Sequence, residues 1–270
     1  MMRSLWTAAS GMKAQQLSVD TISNNLANVD TTAYKKERVE FKTMLYQTLS
    51  KSSADEAGNA KPTNLQVGLG VRSVATSRDF TMGNLDNTGN ALDLALEGEG
   101  FLTIQRGDDI VYTRDANLKL GLYGDEYALT TSDGYPVLDT DGEIIYIPDE
   151  VTVDNLSITT EGDFQYMNAD NEAVDLGQRL SIVQFQNKQG LEAIGSNFYR
   201  ETVASGPALA EADGNLSTYT RVLQGYKEAS NVQVAEEMVK LIVAQRAYEL
   251  NSKAIQTSDT MLEQANNLKR

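Results

Sequence analysis

The sequence contains no cysteine and no histidine. Without cysteine there are no disulfides, no thiol nucleophile and no thiolate metal site. Without histidine a Ser-His-Asp triad is impossible and the commonest zinc ligand is missing. Any catalysis would rest on carboxylates, lysines or tyrosines. Basic residues are few: 23 Lys+Arg stand against 38 Asp+Glu, a net charge of −15, which argues against nucleic acid as a partner. Long apolar runs are missing too. The run Leu241-Ile242-Val243-Ala244 falls far short of the roughly 20 residues that cross a bilayer, so no membrane insertion is expected. At the N-terminus, Thr7, Ser10, Gly11 and Lys13 interrupt what would be the apolar stretch of a secretory signal. A protein that keeps its N-terminus is expected, either cytosolic or exported by a route that does not cleave.

What is present suffices for a folded protein: 270 residues, 41% of them hydrophobic. The charge divides the chain. Residues 1–84 carry a net +3, residues 85–213 a net −19, and residues 214–270 a net +1. Near-neutral ends pack against like neighbours more readily than the acidic middle does.

Periodicity divides the chain in the same way. Leu5, Met12, Val19 and Leu26 recur every seven residues, beside a companion row of Met1, Ala8, Gln15, Ile22 and Val29. This predicts a helix from about Ser4 to Val29 with a heptad seam. Val234, Leu241, Tyr248, Ile255 and Leu262 repeat the spacing, and no Gly or Pro occurs from Val232 to Arg270. One helix of about 35 residues is expected there, opened by a Ser230/Gln233 capping box. Its apolar arc is wide, taking in Val239, Ile242 and Val243, more than one partner helix covers.

In the middle, turn signals come every eight to twenty residues: Gly107-Asp108, Gly124-Asp125, Asp133-Gly134, Asp141-Gly142 and Glu161-Gly162. Between and after them lie short β-prone runs at 101–104, 110–113, 127–131, 144–147 and 180–185. Hairpins are expected. Residues 50–64, rich in Ser, Ala, Asn and Gly, read as a flexible connection.

Candidate chemical motifs fail on spacing. Gly98-Glu99-Gly100 has Thr103 where a dinucleotide loop needs its third glycine. Asp139-Thr140-Asp141-Gly142, read as a calcium loop, places Val137 first and Pro148 twelfth, both unable to ligate through a side chain. Glu97 and Glu99 form one of many chance carboxylate pairs. No cofactor and no metal are expected.

The ends carry a resemblance. The stretch 23–35, with Asn24, Asn25, Leu26, Ala27, Asn28, Tyr34 and Lys35, resembles the N-terminal signature of the bacterial flagellar rod and hook axial proteins. Ser230, Asn231 and Val232, followed by Arg246, Tyr248 and Glu249, resemble the C-terminal one. Residues 2–6, 112–115, 191–199 and 246–249 are similar to distal rod subunits within that family. Ala33 departs from the pattern, which has glycine before the aromatic; a positive φ there would strain alanine.

The resemblance implies a structural protein, not an enzyme, that enters the flagellar export apparatus and polymerises into a hollow helical shaft. It implies an α+β chain: long N- and C-terminal helices forming a coiled-coil-like stalk, with a central all-β domain of hairpins between them. The expected organisation is a helical segment at 1–35, an extended or irregular connection at 36–84, an acidic β-rich domain at 85–220 and a C-terminal helix at 221–270. Leu5, Met12, Val19, Ile22, Leu26, Val234, Leu241, Tyr248, Ile255 and Leu262 are the expected assembly seam. The implied function is torque transmission in the distal rod of the basal body. Implied partners are other copies, proximal rod and hook subunits, and the rings around the rod. The segment 46–70 is the stretch that would separate a stiff rod from a hook. Two alternatives are weighed: a proximal rod or hook subunit, and an acidic-site hydrolase or carbohydrate-binding β domain with dimerising helices.

Overall fold

A computed structural model describes residues 2–50, 65–124, 126–148, 151–168, 172–214 and 218–268. The chain divides into two units. The helical unit comprises Met1–Ala27, Glu37–Arg78 and Gln233–Arg270; the β-rich unit comprises Asn28–Lys36 and Asp79–Val232. Two long helices and many strands make the fold α+β. No described helix is long and apolar enough to cross a membrane.

The helical unit is built on α1 (Met2–Ala27, 26 residues) and α2 (Val234–Asn267, 34 residues). Helix α1 stops two residues before the expected Val29. Asn28 begins a run of turns instead: its carbonyl accepts from the Thr31 amide and its side-chain oxygen from the Thr31 hydroxyl. The capping box at Ser230 does not form. The Ser230 hydroxyl accepts from the Val232 amide at 3.3 Å, and the helix begins after Gln233, whose backbone is still extended at φ −100, ψ 110. Glu236 and Glu237 place negative charge in the first turn, where the helix dipole favours it.

Residues 36–78 add strands to this unit. Strand β1 (Glu37–Thr43) pairs antiparallel with β4 (Val71–Arg78), and β2 (Tyr46–Ser50) with β3 (Leu65–Gly68). The flexible connection expected over 50–64 lies, beyond Ser50, outside the described residues.

In the β-rich unit the turn signals within the described residues serve as expected, with Gly107 and Gly134 at φ +66 and +84, while Asp125 lies outside the described residues. Predicted runs appear as Phe101–Arg106, Asp109–Thr113, Glu126–Thr131, Tyr146–Ile147 and Ile182–Gln184. One sheet has five strands, in the order Tyr146–Ile147, Glu126–Thr131, Ala116–Tyr123, Asp93–Glu97, Arg221–Gln224. A six-stranded sheet runs from Glu192–Gly195 through Phe198–Arg200, Asp109–Thr113, Phe101–Arg106 and Ile182–Gln184 to Leu209–Ala210. The main core gathers Leu94, Leu96, Leu102, Leu118, Leu129, Ile145, Phe164 and Val222. A second cluster is aromatic, with Tyr112 and Phe185 edge-to-face at 4.9 Å and Phe101 and Phe185 at 5.7 Å.

Candidate assembly surface and a buried charge hub

In the helical unit, α1 and α2 run antiparallel in a register read from three levels. Ser4 Oγ stands 3.3 Å from Ser258 Oγ. A Cβ built on Gly11 would lie 2.9 Å from Asn251 Nδ2. Asn25 Nδ2 donates to Glu237 Oε2 at 3.2 Å. Each step of seven up α1 is a step of seven down α2, which sets Ser18 level with buried Ala244. The row between the helices is therefore small and polar.

The apolar rows flank it. In the same register Leu5 lies within two residues of the level of Ile255, Met12 of Tyr248, Val19 of Leu241, and Leu26 of Val234. Leu5, Met12, Val19, Ile22, Leu26, Leu241 and Ile255 are half-buried, while Val234, Tyr248 and Leu262 are exposed. Tyr248 keeps 43% of its surface in water. Away from this face α2 exposes Val239, Ile242, Val243 and Leu250 as well. Trp6, 74% exposed, lines a cavity of about 770 Å³ with Thr43, Met44, Leu45, Tyr46, Leu69 and Arg72. Large exposed apolar patches mark interaction sites.

The signature residues fall in three settings. Asn24 and Ala27 are exposed on α1, whereas Asn25 is buried. Asn25 is held on three sides: its amide donates to the Glu37 carbonyl at 2.9 Å as well as to Glu237, and its oxygen accepts from the Glu37 amide at 2.9 Å. Arg246 and Glu249 pair at 2.8 Å on the outside of α2. Leu26 and Tyr248 belong to the apolar rows of the helices; the remaining signature residues lie in the β-rich unit, with Lys35 in a buried cluster of charge.

That cluster centres on Glu228. Lys35 Nζ donates to Glu228 Oε1 at 2.5 Å and to the Thr81 carbonyl at 2.8 Å. Arg114 Nε donates to Glu228 Oε2 at 3.0 Å, and its other nitrogens donate to the carbonyls of Leu96, Gly98 and Gly100 at 2.9–3.0 Å. The Gly83 amide donates to Glu228 Oε1 at 2.9 Å. All three side chains are buried. The Gly98-Glu99-Gly100 stretch thus serves a guanidinium: Cβ atoms on Gly98 and Gly100 would stand 2.9 Å and 2.5 Å from Thr220 and Ile182.

Burial would raise the Glu228 carboxyl, but Arg114 and then Lys35, with their hydrogen bonds, hold it below its usual 4.5. Burial, and then the Arg114 charge, outweigh the attraction of Glu228 for Lys35 and bring that ammonium from 10.5 down to about 8.

Asn231 forms the second part of the hub. Its oxygen accepts from the Lys36 amide at 2.8 Å, its side-chain amide donates to the Asp79 carbonyl at 2.8 Å, and its backbone amide donates to Tyr34. Ala33 precedes buried Tyr34 at φ +54, the strained geometry foreseen for an alanine in a glycine's place. Val232 is buried beside Asn231 in sequence. Arg114 and Glu228 received no role from the sequence: each adjoins an opposite charge, Asp115 and Lys227, and only the tertiary fold reveals its burial.

A polar cavity of about 800 Å³ in the β-rich unit is lined by Glu161, Arg179, Glu211, Tyr219 and Arg221 among others. Glu211 is committed there to hydrogen bonds from Gln184 and Thr220. Asp115, whose carboxyl is raised to about 6, lines neither cavity. Among the described residues no group of three or more Asp or Glu side chains is placed to hold a metal.

A helix pair flanked by partly exposed apolar rows, in a chain whose buried charges bind protein carbonyls and one another, is the frame of a structural protein. Comparison with known proteins gives the class its name. Residues 5–35 match the family model for flagella basal body rod protein, residues 95–166 that for the flagellar hook protein FlgE/F/G D1 domain, and residues 223–268 that for the flagellar basal body rod FlgEFG protein C-terminal. The chain is 47% identical to the flagellar basal-body rod protein FlgG of Borreliella burgdorferi across the full length of both. It is 40% identical to FlgG of Bacillus subtilis, again over 100% of each chain, and 32% identical to the hook-basal body complex protein FlhP of that organism over 97% of each. The chain belongs to the flagellar basal-body rod protein family, a family of structural rod subunits of the flagellar basal body and not of enzymes.

Proposed function

We propose that this chain is a distal rod subunit, exported without a cleaved signal, that polymerises into the hollow shaft carrying torque from motor to hook. In this reading α1 and α2 form a coiled-coil-like stalk. The flanking rows of Leu5, Met12, Val19, Ile22 and Leu26 and of Val234, Leu241, Tyr248, Ile255 and Leu262 are the seam on which other copies settle. Heterologous contacts that do not close a ring build a helical filament. The acidic β-rich domain, about 85–220, supplies the outer contacts, and proximal rod subunits, hook subunits and surrounding rings are the further partners.

The observation that carries the reading is the open apolar face along the helix pair, with Val234 and Tyr248 more than two-fifths exposed. Fully burying an exposed large apolar side chain contributes about 1.5–3 kcal/mol, and each partly exposed one here contributes a share of that. The test is Leu241→Asp or Ile255→Asp, each of which would bury an unpaired charge on assembly. Rods and motility are expected to be lost while the β-rich unit stays folded by near-ultraviolet circular dichroism. Normal rods in either variant would refute the seam. Deleting 46–70 separates the rod reading from the hook: unchanged rod stiffness after that deletion would favour a proximal rod or hook role.

A further inference from the structure

The apolar rows have a degeneracy. Helix α1 offers four heptad positions, Leu5, Met12, Val19 and Leu26; α2 offers five, Val234, Leu241, Tyr248, Ile255 and Leu262. In the observed register Leu262 has no counterpart on α1. If α2 slipped by one heptad, Leu5 would come beside Leu262, Met12 Ile255, Val19 Tyr248 and Leu26 Leu241, with every apolar pairing kept at the same small offset. The central row tolerates the same slip: Ser4 would face Ala265, Gly11 Ser258 and Ser18 Asn251. Such a slip moves one helix by roughly 10 Å at 1.5 Å per residue.

One level distinguishes the two registers. Asn25 and Glu237 are 1% and 3% exposed and hydrogen-bonded to each other. After the slip Asn25 would face Ala244, and Glu237 would lie level with residue 32, past the end of α1 at Ala27. Lys240, on the same helix, pairs with Glu237 Oε1 at 2.7 Å and would move with it, so the slip strips Oε2 alone of its partner. Losing a buried hydrogen bond is costly, and a single buried polar contact is the best-attested way to fix a helix register.

We propose that Asn25 and Glu237 are positioning residues that select the register of the antiparallel helix pair, against a one-heptad slip that the apolar and small rows both permit. The inference concerns the single chain, so it is tested apart from polymerisation.

Because the chain has no cysteine, introduced pairs report register cleanly. Ser4→Cys with Ser258→Cys reads the observed register; Ser4→Cys with Ala265→Cys reads the slipped one. Each pair is placed in the full-length monomer, in the parent, in Asn25→Leu/Glu237→Leu and in Glu237→Gln, and oxidised at low protein concentration. In the parent the 4–258 disulfide should dominate. In Asn25→Leu/Glu237→Leu the 4–265 disulfide should rise about ten-fold, equivalent to ~1.4 kcal/mol, with helical circular dichroism retained. Glu237→Gln keeps an acceptor for Asn25 and should behave as the parent. An unchanged 4–258 preference in the double variant would overturn the proposal, because the chain connections at 28–36 and 232–233 would then suffice to fix the register. Loss of both cross-links together with the helical signal would also overturn it, because the pair would then hold the helices together without choosing between registers.

Discussion

At the scale of residues, the Glu228 hub makes the stability of the β-rich unit depend on pH in two windows. Glu228 is depressed by its cations, so its contribution is present above pH 4.5 and is lost as pH falls through its lower folded value. Lys35 titrates near 8 in the folded chain against 10.5 ordinarily. Between those values the unfolded chain binds more protons, so stability from this group rises with pH. Urea titrations from pH 8 to pH 10.5 should show a rise in the parent that Lys35→Met lacks; parallel curves would mean Lys35 is not buried as charge. Asp115 gives the opposite sign. Burial, opposed by the Asn117 amide and reinforced by Asp133 and Asp93, raises it to about 6 from 3.8. The folded state then holds the proton more tightly, and stability falls as pH rises from 3.8 to 6. Asp115→Asn should stabilise the protein at pH 7 by about 1–3 kcal/mol, since each tenfold gain in proton affinity on folding corresponds to ~1.4 kcal/mol, and change little near pH 3.5. Equal stability of the two proteins at pH 7 would contradict this. Ala33 supplies a steric counterpart. At φ +54 a β-branched residue is a genuine outlier, so Ala33→Val should cost about 2 kcal/mol or more in thermal unfolding. Ala33→Gly should stay near the parent, because relief of left-handed strain is offset by glycine's entropy in the unfolded chain.

At the scale of elements, the two helices are legible in the sequence because seven-residue spacing and an uninterrupted stretch without Gly or Pro are properties of the chain itself. What sits between the helices is not. The spacing of Leu5, Met12, Val19 and Leu26 suggests that these residues meet the large apolar row of α2 along the centre of the pair. The structure puts Ser4, Gly11, Asn25, Glu237, Asn251 and Ser258 there and moves the apolar rows to one flank. Small residues let backbones approach, and a sequence shows their spacing without showing which of two adjacent heptad rows faces inward. The start of α2 differs from its expected place for a related reason: Ser230 has capping chemistry, yet its hydroxyl is used by the Val232 amide two residues before the helix begins. The strands of 37–78 and the Glu228 hub are illegible because short exposed strands and isolated charges depend on long-range partners. Gly11 tests the pairing of the two helices directly. It costs α1 about 1 kcal/mol of helix propensity relative to alanine, and its place opposite Asn251 explains why glycine is useful there. Gly11→Leu should push the helices apart and lower the thermal midpoint of the helical signal by several degrees, at roughly 1 kcal/mol per 2–4 °C for a chain of this size. An unaltered midpoint would mean the pair is looser than its register implies.

At the scale of the whole molecule, assembly sets two forces against each other. The ends, at net +3 and +1, carry the apolar rows, while residues 85–213 carry −19. Bringing copies together through the helices therefore gains burial of apolar surface and gathers like charge. The apolar term is short-ranged and changes little with salt. The repulsion is screened over about 10 Å at 0.1 M ionic strength and about 3 Å at 1 M. Purified subunits should consequently polymerise more readily as sodium chloride is raised from 0.05 to 0.5 M. They should also do so more readily on warming from 5 to 25 °C, since the hydrophobic term weakens in the cold. Light scattering and negative-stain microscopy of the same samples separate ordered rods from amorphous precipitate. Leu241→Asp should stay unassembled at every salt concentration, because screening does not remove the cost of burying an unpaired charge. If added salt instead dissolves preformed rods of the parent, the copies are held by ion pairs rather than by the uncovered rows of α1 and α2.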